Sequence, residues 1–531
     1  MSERIVRALL IEDVRELTEI LETVHPDPYI NGGGKIAFHR RLQQLIRNIP
    51  GEGMTKQEFL DLIQPFVAAL KDAHTSILPS GISRDFLNPG GIPLIFDPIE
   101  EKLCVRAVTK NEYLSFIGCI LESIEGISFS EIIERQKNRL GYDSYYSLLG
   151  RLGRTFTLYF GSMLKALLPE WKNEKEISFT VKYPDGFSKN HTLPIAMNVQ
   201  YPLQYGETKK KILETKDWIA YDFIDKQKES AYFKINSMST YREAFELWHA
   251  KGQNNFHLSL KKVFSVYNSD DIPESIEEII SKIPSATNLL VSLFTEMKEA
   301  QTKNLIIDLR LCEGGYDIII AFILYFLIGF EEFLKLQVKR GETQKLSEFI
   351  QKSGEKGLEP ESIPYYNEVP LTWNDYSFAF DPQFVNEEKL LEIFRKDFLD
   401  DIEKTSFYKI FKNKKYENYY KPNNIVVLCS SGTTSSAFDL MNNLKKINAI
   451  VVGVQSGQIG NNFGNVRRFQ LKNSELIGYI STKYFVAFPE CSSSESVIKP
   501  DYELTYTKLK EYNFDKNAEL LYALDILNIK S

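Results

Sequence analysis

The chain has 531 residues, of which 43% are apolar and 25% charged, and 64 basic against 71 acidic side chains give a net charge of −7. At roughly 150 residues per domain this predicts three or four folded domains and excludes a disordered or collagen-like chain. The acidic balance leaves no broad basic field, so nucleic acid is not an expected partner. Five scattered cysteines without a Cys-x-x-Cys pair argue against a zinc site or a disulfide framework, and no metal or cofactor is expected.

The first residues, Met1-Ser2-Glu3-Arg4, are charged and carry no signal-peptide core, so the sequence as it stands predicts a cytoplasmic protein, exported only if a leader was removed. Residues 13–24 and 55–71 have helical spacing. In the second, Phe59, Leu60, Ile63, Phe66, Val67 and Leu70 form an apolar stripe. Between them, Gly32-Gly33-Gly34-Lys35-Ile36 lacks the spacing and the Ser/Thr of a phosphate loop, and that reading is rejected. The helix at 55–71 leads into Leu70-Lys71-Asp72-Ala73-His74-Thr75-Ser76. A lone histidine in such a place is commonly structural, yet imidazole is also the commonest base for a serine nucleophile near neutral pH.

Residues 81–200 read as a β-rich module. Short strands are expected at 91–96, 103–108 and 118–124, a helical stretch runs to about 169, and a hairpin joins 177–183 to 191–195 through Pro184-Asp185-Gly186. From about 217 the pattern becomes α/β. Strands at 231–235, 304–309, 424–429 and 449–453 alternate with helices at 289–301 and 437–446, the signature of a layered core. The greasiest run, 318–330, has 13 residues, short of the ~20 needed to cross a bilayer, and reads as a buried helix. Residues 336–420 are polar and aromatic-rich. They read as an insertion whose role (lid, oligomer contact or surface decoration) the pattern leaves open.

Two turns could carry chemistry. In Cys429-Ser430-Ser431-Gly432-Thr433-Thr434-Ser435-Ser436-Ala437-Phe438-Asp439, a hydroxyl-rich turn joins a buried strand to a helix. Free N–H groups at a helix start stabilise a developing oxyanion, which suits nucleophilic catalysis. The plain alternative is that the hydroxyls only cap the helix. In Ile307-Asp308-Leu309-Arg310-Leu311-Cys312-Glu313-Gly314-Gly315, paired glycines after a strand let the backbone approach a ligand. Asp308 and Arg310 fit a structural ion pair as well as substrate contacts.

Taken in order, Asp-x-His-Thr, the β module with Gly118-Cys119-Ile120-Leu121-Glu122, Ile-Ile-Asp-Leu-Arg followed by Gly-Gly, and Thr-x-Ser-x-Ala-x-Asp resemble the C-terminal-processing (tail-specific) serine peptidases and their tricorn-core relatives. Residues 463–471 and 481–485, closing with Lys499-Pro500-Asp501, resemble the same core. The resemblance implies an N-terminal helical region (1–80), a PDZ-like peptide-binding domain (81–200) and a crotonase-like α/β peptidase core (201–531). It implies serine-type hydrolysis of a polypeptide substrate, and a homo-oligomer is compatible with it. Carried over by motif, Ser436 matches the nucleophile, with Ser435 as its neighbour in an ambiguous register. The backbone N–H of Ala437 with that of Gly314 or Gly315 matches the oxyanion hole.

The general base departs from the processing-peptidase branch, which uses a lysine about 25 residues after the serine. Residues 453–462 contain no lysine, and Lys445 and Lys446 stand roughly 14 Å along the helix at ~1.5 Å per residue. The resemblance to the tricorn-like branch instead implies His74 as base and a late glutamate, Glu495 or behind it Glu490, as orienting carboxylate. Asp439 where the family has Glu, and Ala73 where it commonly has Gly, keep two alternatives open: an inactive peptide-binding protein and a non-peptidase serine hydrolase.

Overall fold

The computed structural model describes residues 3–78, 90–156, 161–173, 175–197, 203–206, 208, 213, 215–252, 256–268, 271–352, 360 and 370–529. The boundaries expected at 80/81 and 200/201, and residues 353–359 and 361–369 of the expected insertion, lie outside that set. The fold is a mixed α/β arrangement with several sheets.

The central sheet has the strand order Ile219–Phe223, Ser230–Ile235, Asn304–Asp308, Asn424–Cys429, Ile450–Gly453, Tyr502–Glu503. Its first pair is antiparallel and the remaining pairs are parallel. A parallel sheet is covered on both faces, which is why its strands read as unbroken apolar runs. Side-chain alternation divides them. Leu305, Ile307, Val427, Cys429 and Val451 enter the large core beneath the helices Ala286–Ala300, Ile318–Ile328 and Ser436–Lys446. Ile306, Val426, Leu428 and Val452 face Leu520, Ala523 and Leu524 of the helix Ala518–Ile526. The run predicted as a buried helix is Ile318–Ile328, and every residue from Ile318 to Leu327 is buried. It ends at Gly329, whose φ of +86° suits glycine. No described helix is long and apolar enough to cross a membrane.

The β-rich module appears as antiparallel strands in the order Ser188–Pro194, Glu176–Lys182, Ile120–Ile124, Lys102–Val108, Leu94–Ile99. The helix Tyr145–Phe156 buries Leu148, Leu149, Leu152 and Phe156 against them. At the N-terminus, Arg7–Val24, Gly34–Arg47 and Lys56–Ala68 are helices. The last opens with a capping box between Thr55 and Glu58. The helix Gly34–Arg47 has no counterpart among the sequence-based expectations, because two glycines precede it, a third opens it, and its polar residues blur the stripe.

A further sheet takes in part of 336–420, whose role the sequence left open. Strands Gly341–Lys345 and Tyr376–Phe380 extend the long hairpin Asn461–Gln470/Ile477–Val486. Leu390, Phe394, Ile402 and Phe407 belong to the main core, and the ring of Phe407 stacks on Phe322 with centroids 3.9 Å apart. Aromatic residues in a polar background had hidden this: their spacing follows the core they enter, not one helix or strand. The same hairpin receives the segment after His74, for Ser76, Ile77 and Leu78 pair with Tyr479, Gly478 and Ile477.

Candidate active site

The turn after Asn424–Cys429 is held by its own hydroxyls. Ser430 Oγ donates to the Arg310 carbonyl at 2.6 Å, and Thr433 Oγ1 donates to the Leu309 carbonyl at 2.9 Å. Ser456 Oγ donates to the Thr433 carbonyl at 2.9 Å, and the Ser435 N–H donates to Gln458 Oε1. These bonds lead the chain into Ser435 at φ +55°, ψ −135°, a strained conformation for a residue other than glycine. The helix Ser436–Lys446 then begins without a side-chain cap. The plain capping alternative therefore does not account for the serines. Ser436 is buried, and its Oγ donates to the Gly315 carbonyl at 2.8 Å.

The paired glycines meet this turn directly. Gly314 has φ +93°, and a Cβ there would lie 2.6 Å from Ser435 Cβ and 2.9 Å from Ser436 N. The Met238 N–H donates to Gly314 O and the Tyr316 N–H to Met238 O, both at 3.0 Å, which fixes the turn on the segment after Ser230–Ile235. The geometry thus brings Gly314, Gly315, Ser435, Ser436 and Ala437 together. It also shows that the Gly315 carbonyl, not an N–H, faces Ser436 Oγ, and that the Ala437 N–H donates to Thr434 O at 3.1 Å.

Asp308 and Arg310 form an ion pair at 2.6 Å, extended by Glu519 and Arg106, with Tyr232 donating to Asp308. Burial alone would push the Asp308 carboxyl up, but the Arg310 guanidinium holds it below the usual range. The structural reading of this pair is the one observed. Lys445 pairs with Asp501 at 2.8 Å and Lys446 Nζ reaches the Leu336 carbonyl at 3.5 Å, so both lysines face away from a role as base.

His74 stands on a loop organised by Asp72, which is fully buried. Asp72 accepts from the His74 N–H at 2.7 Å, from Ser481 Oγ at 2.7 Å, from Thr75 Oγ1 and from His25 Nε2 at 3.2 Å. Burial would raise its carboxyl, but the hydrogen bond and charge of His25, then the charge of His74 and the Thr75 hydroxyl, hold it well below the usual carboxylate range. His74 Nδ1 lies 3.9 Å from Asp72 Oδ1 and has no hydrogen-bond partner. The second neighbour is Asp143, whose Oδ1 accepts from the Ala73 N–H at 2.9 Å. Burial pushes the Asp143 carboxyl up to about 6, against the charge of His74.

One ligand atom each from Asp72, His74 and Asp143 lies within 4.8 Å of the other two. Asp72 already accepts four hydrogen bonds, and the charge of Arg151 acts on both carboxylates, so the trio reads as a hydrogen-bonding cluster and not a cation cage. Glu495 is exposed and accepts from Ser492 Oγ at 2.6 Å, and no contact between it and His74 occurs among the described residues. Glu490 likewise makes none with His74.

The His74 loop and the Ser436 turn are joined through the β-rich module. Ala73 bonds to Asp143. The adjacent Ser144 Oγ donates to the Gly457 carbonyl at 2.7 Å, and Gln458 holds Ser435. Gln458, Asp143 and the bonding role of Asp72 escaped the sequence-based reading. Only the Asp-x-His spacing signalled the last, since an Asp two residues before His can accept its N–H.

Residues 274–504 match the family model described as Peptidase family S41. No curated protein matches the chain. Among solved structures, mature CPAF is 12% identical, with 98% of each chain covered and a TM-score of 0.56. Mature CPAF complexed with lactacystin has the same identity and TM-score over 98% of this chain and 99% of that one. The photosystem II D1 C-terminal processing protease is 11% identical over 94% of this chain and 93% of that one, with a TM-score of 0.39. The two CPAF structures share the fold of this chain.

Proposed function

We propose that this chain, a serine peptidase whose residues 274–504 form a peptidase family S41 domain, hydrolyses polypeptides with Ser436 as nucleophile and His74 as general base. The observation that carries this reading is the uncapped helix start at Ser436, set against the Gly314-Gly315 turn by the strained Ser435. A hydroxyl that caps nothing, at the positive end of a helix, is suited to attack.

In the proposed reaction, Ser436 Oγ leaves the Gly315 carbonyl and attacks the scissile carbonyl while His74 takes its proton. The new Oγ–C bond drives the carbonyl electrons onto oxygen, where the N–H of Ala437 and that of Gly314 or Gly315 receive the oxyanion, roughly 2.7–4 kcal/mol per donor. His74 then protonates the leaving amine, and water releases the acyl group by the reverse sequence. A PDZ-like peptide-capturing role for the β-rich module, a crotonase-like α/β core, the division at 1–80, 81–200 and 201–531, a homo-oligomer and a cytoplasmic location belong to the same proposal. Glu495 is the alternative orienting carboxylate, and that role would require its loop to move toward His74.

An active-serine phosphonofluoridate followed by peptide mass mapping tests the reading. Label on Ser436, lost in Ser436→Ala and kept in Ser435→Ala together with peptide hydrolysis, is the expected result. Label and hydrolysis that survive Ser436→Ala overturn it.

A further inference from the structure

The base of the proposed reaction has an unmet requirement. His74 is 19% exposed, but its Nδ1 is sealed from solvent and unpartnered. Nε2 is therefore the nitrogen open to substrate. A neutral imidazole that accepts a proton at Nε2 carries its own proton on Nδ1, and the buried Nδ1–H needs an acceptor, more so once the ring is cationic. The neighbouring carboxylates are Asp72, 3.9 Å from Nδ1, and Asp143, which clusters with Asp72 and His74 with ligand atoms within 4.8 Å of one another, so either reaches Nδ1 only by a small shift of the ring or the carboxylate.

Their capacities differ. Asp72 Oδ2 accepts from His25, Thr75 and Ser481, and Oδ1 accepts from the His74 N–H while standing 3.9 Å from Nδ1. That carboxylate is locked by donors from three segments. Asp143 uses one oxygen for the Ala73 N–H, and no hydrogen bond to its second oxygen is seen among the described residues.

The segment around Asp143 is built onto the His74 loop. Arg151 Nη1 donates to the Gly141 carbonyl at 2.8 Å and its Nη2 donates to the Ala73 carbonyl, so one guanidinium clamps both loops. Gly141 packs so closely that a Cβ would come 2.0 Å from the Asp72 carbonyl oxygen. Ser144, next to Asp143, is tied to Gly457 beside the nucleophile turn.

We propose that Asp143, delivered by the β-rich module, is the positioning residue that accepts the Nδ1–H of His74 and stabilises its imidazolium. The inference rests on the reading of His74 as the base of Ser436. During the reaction the proton from Ser436 travels to Nε2 and on to the leaving amine, while Asp143 keeps its charge and holds the ring. The charged and titratable groups facing His74 are Asp72, with His25 behind it, Asp143 and Arg151. The base is thus completed by a module separate in sequence from the peptidase core, and displacement of that module would remove its orienting carboxylate.

The test is an NMR titration of the His74 imidazole in the full chain, alongside hydrolysis of a fluorogenic peptide library. In the wild type the neutral ring is expected as the Nδ1–H tautomer. Asp143→Asn is expected to lower the His74 pKa by about 1 pH unit, as loss of a nearby opposite charge does. It is expected to reduce kcat ~10–100-fold with KM little changed, and to move the acidic limb of the kcat/KM profile to lower pH. Asp143→Glu restores part of kcat. An unchanged His74 pKa and pH profile in Asp143→Asn overturns the inference, as does an Nε2–H tautomer in the wild type. Should Asp143→Asn not fold, the wild-type tautomer and the Asp143→Glu profile decide the matter. Failure of the parent reading looks different: His74→Ala would then retain hydrolysis and Ser436→Ala would retain label.

Discussion

The Ser436 hydroxyl donates to the carbonyl oxygen of Gly315 at 2.8 Å. That oxygen occupies the side of Ser436 where an oxyanion donor is expected. The proposed reaction therefore needs the serine to leave this acceptor and the Gly314-Gly315 backbone to turn an N–H toward substrate. Glycines at φ +93° and +141° have the freedom for such a rotation.

Gly315→Ala removes that freedom. Its Cβ would stand 2.1 Å from Ser239 Oγ and 2.7 Å from the Met238 carbonyl carbon, at a φ that L side chains rarely adopt. The expected outcome is loss of hydrolysis with a destabilisation of about 1–3 kcal/mol or more. Thermal unfolding and turnover on one preparation check it. Full activity in a stable variant contradicts the expectation.

Activity is expected to fall as the solution becomes acid, because in the proposed reaction His74 must be neutral to accept a proton. His74→Ala should cost ~10²–10⁴ in kcat. A profile that rises only in strongly alkaline solution would indicate a lysine base. Lys445 is an unsuitable one, being paired with Asp501.

Asp72 is expected to matter for stability as well as for His74. Removing its carboxylate strands the donors of His25, Thr75 and Ser481, and breaking a buried charged pair costs about 3–5 kcal/mol. Its pKa in the folded protein lies below the unfolded value, so its contribution is fully present above about pH 4 and is lost as the pH falls through the folded pKa. Chemical unfolding of Asp72→Asn against wild type should therefore show a large gap at pH 7 that narrows toward pH 2. A constant gap would contradict this assignment.

Phe407→Ala tests whether residues 336–420 belong to the body of the molecule. Phe407 is buried and stacks on Phe322 of the helix under the central sheet. Truncating such a side chain costs about 3–5 kcal/mol. A denaturant midpoint equal to the wild type would return the segment to surface decoration.

The strands Asn424–Cys429 and Asn304–Asp308 and the helix Ile318–Ile328 were legible because each is an apolar run closed by a turn, a pattern contained within one segment. The hydroxyl-rich turn and the Gly-Gly turn were legible for the same reason. The strands Gly341–Lys345 and Tyr376–Phe380 were not. Gly341–Lys345 gains its pairing from the distant hairpin strand Ile477–Val486, and Tyr376–Phe380 gains its own from Gly341–Lys345, so neither is announced by a local pattern in its partly polar sequence.

By itself, the sequence determined the layered α/β core and the place of the hydroxyl-rich turn that carries Ser435 and Ser436, since hydrophobic burial and turn chemistry act on neighbouring residues. Only the tertiary structure decided what surrounds His74. Ser481 bonds to Asp72 across 409 residues, Asp143 reaches Ala73 across 70, and Ser144 bonds to Gly457 across 313. A hydrogen bond needs two groups within about 3 Å. Which distant groups meet at that distance follows from the packing of whole modules, and no local pattern of residues encodes it.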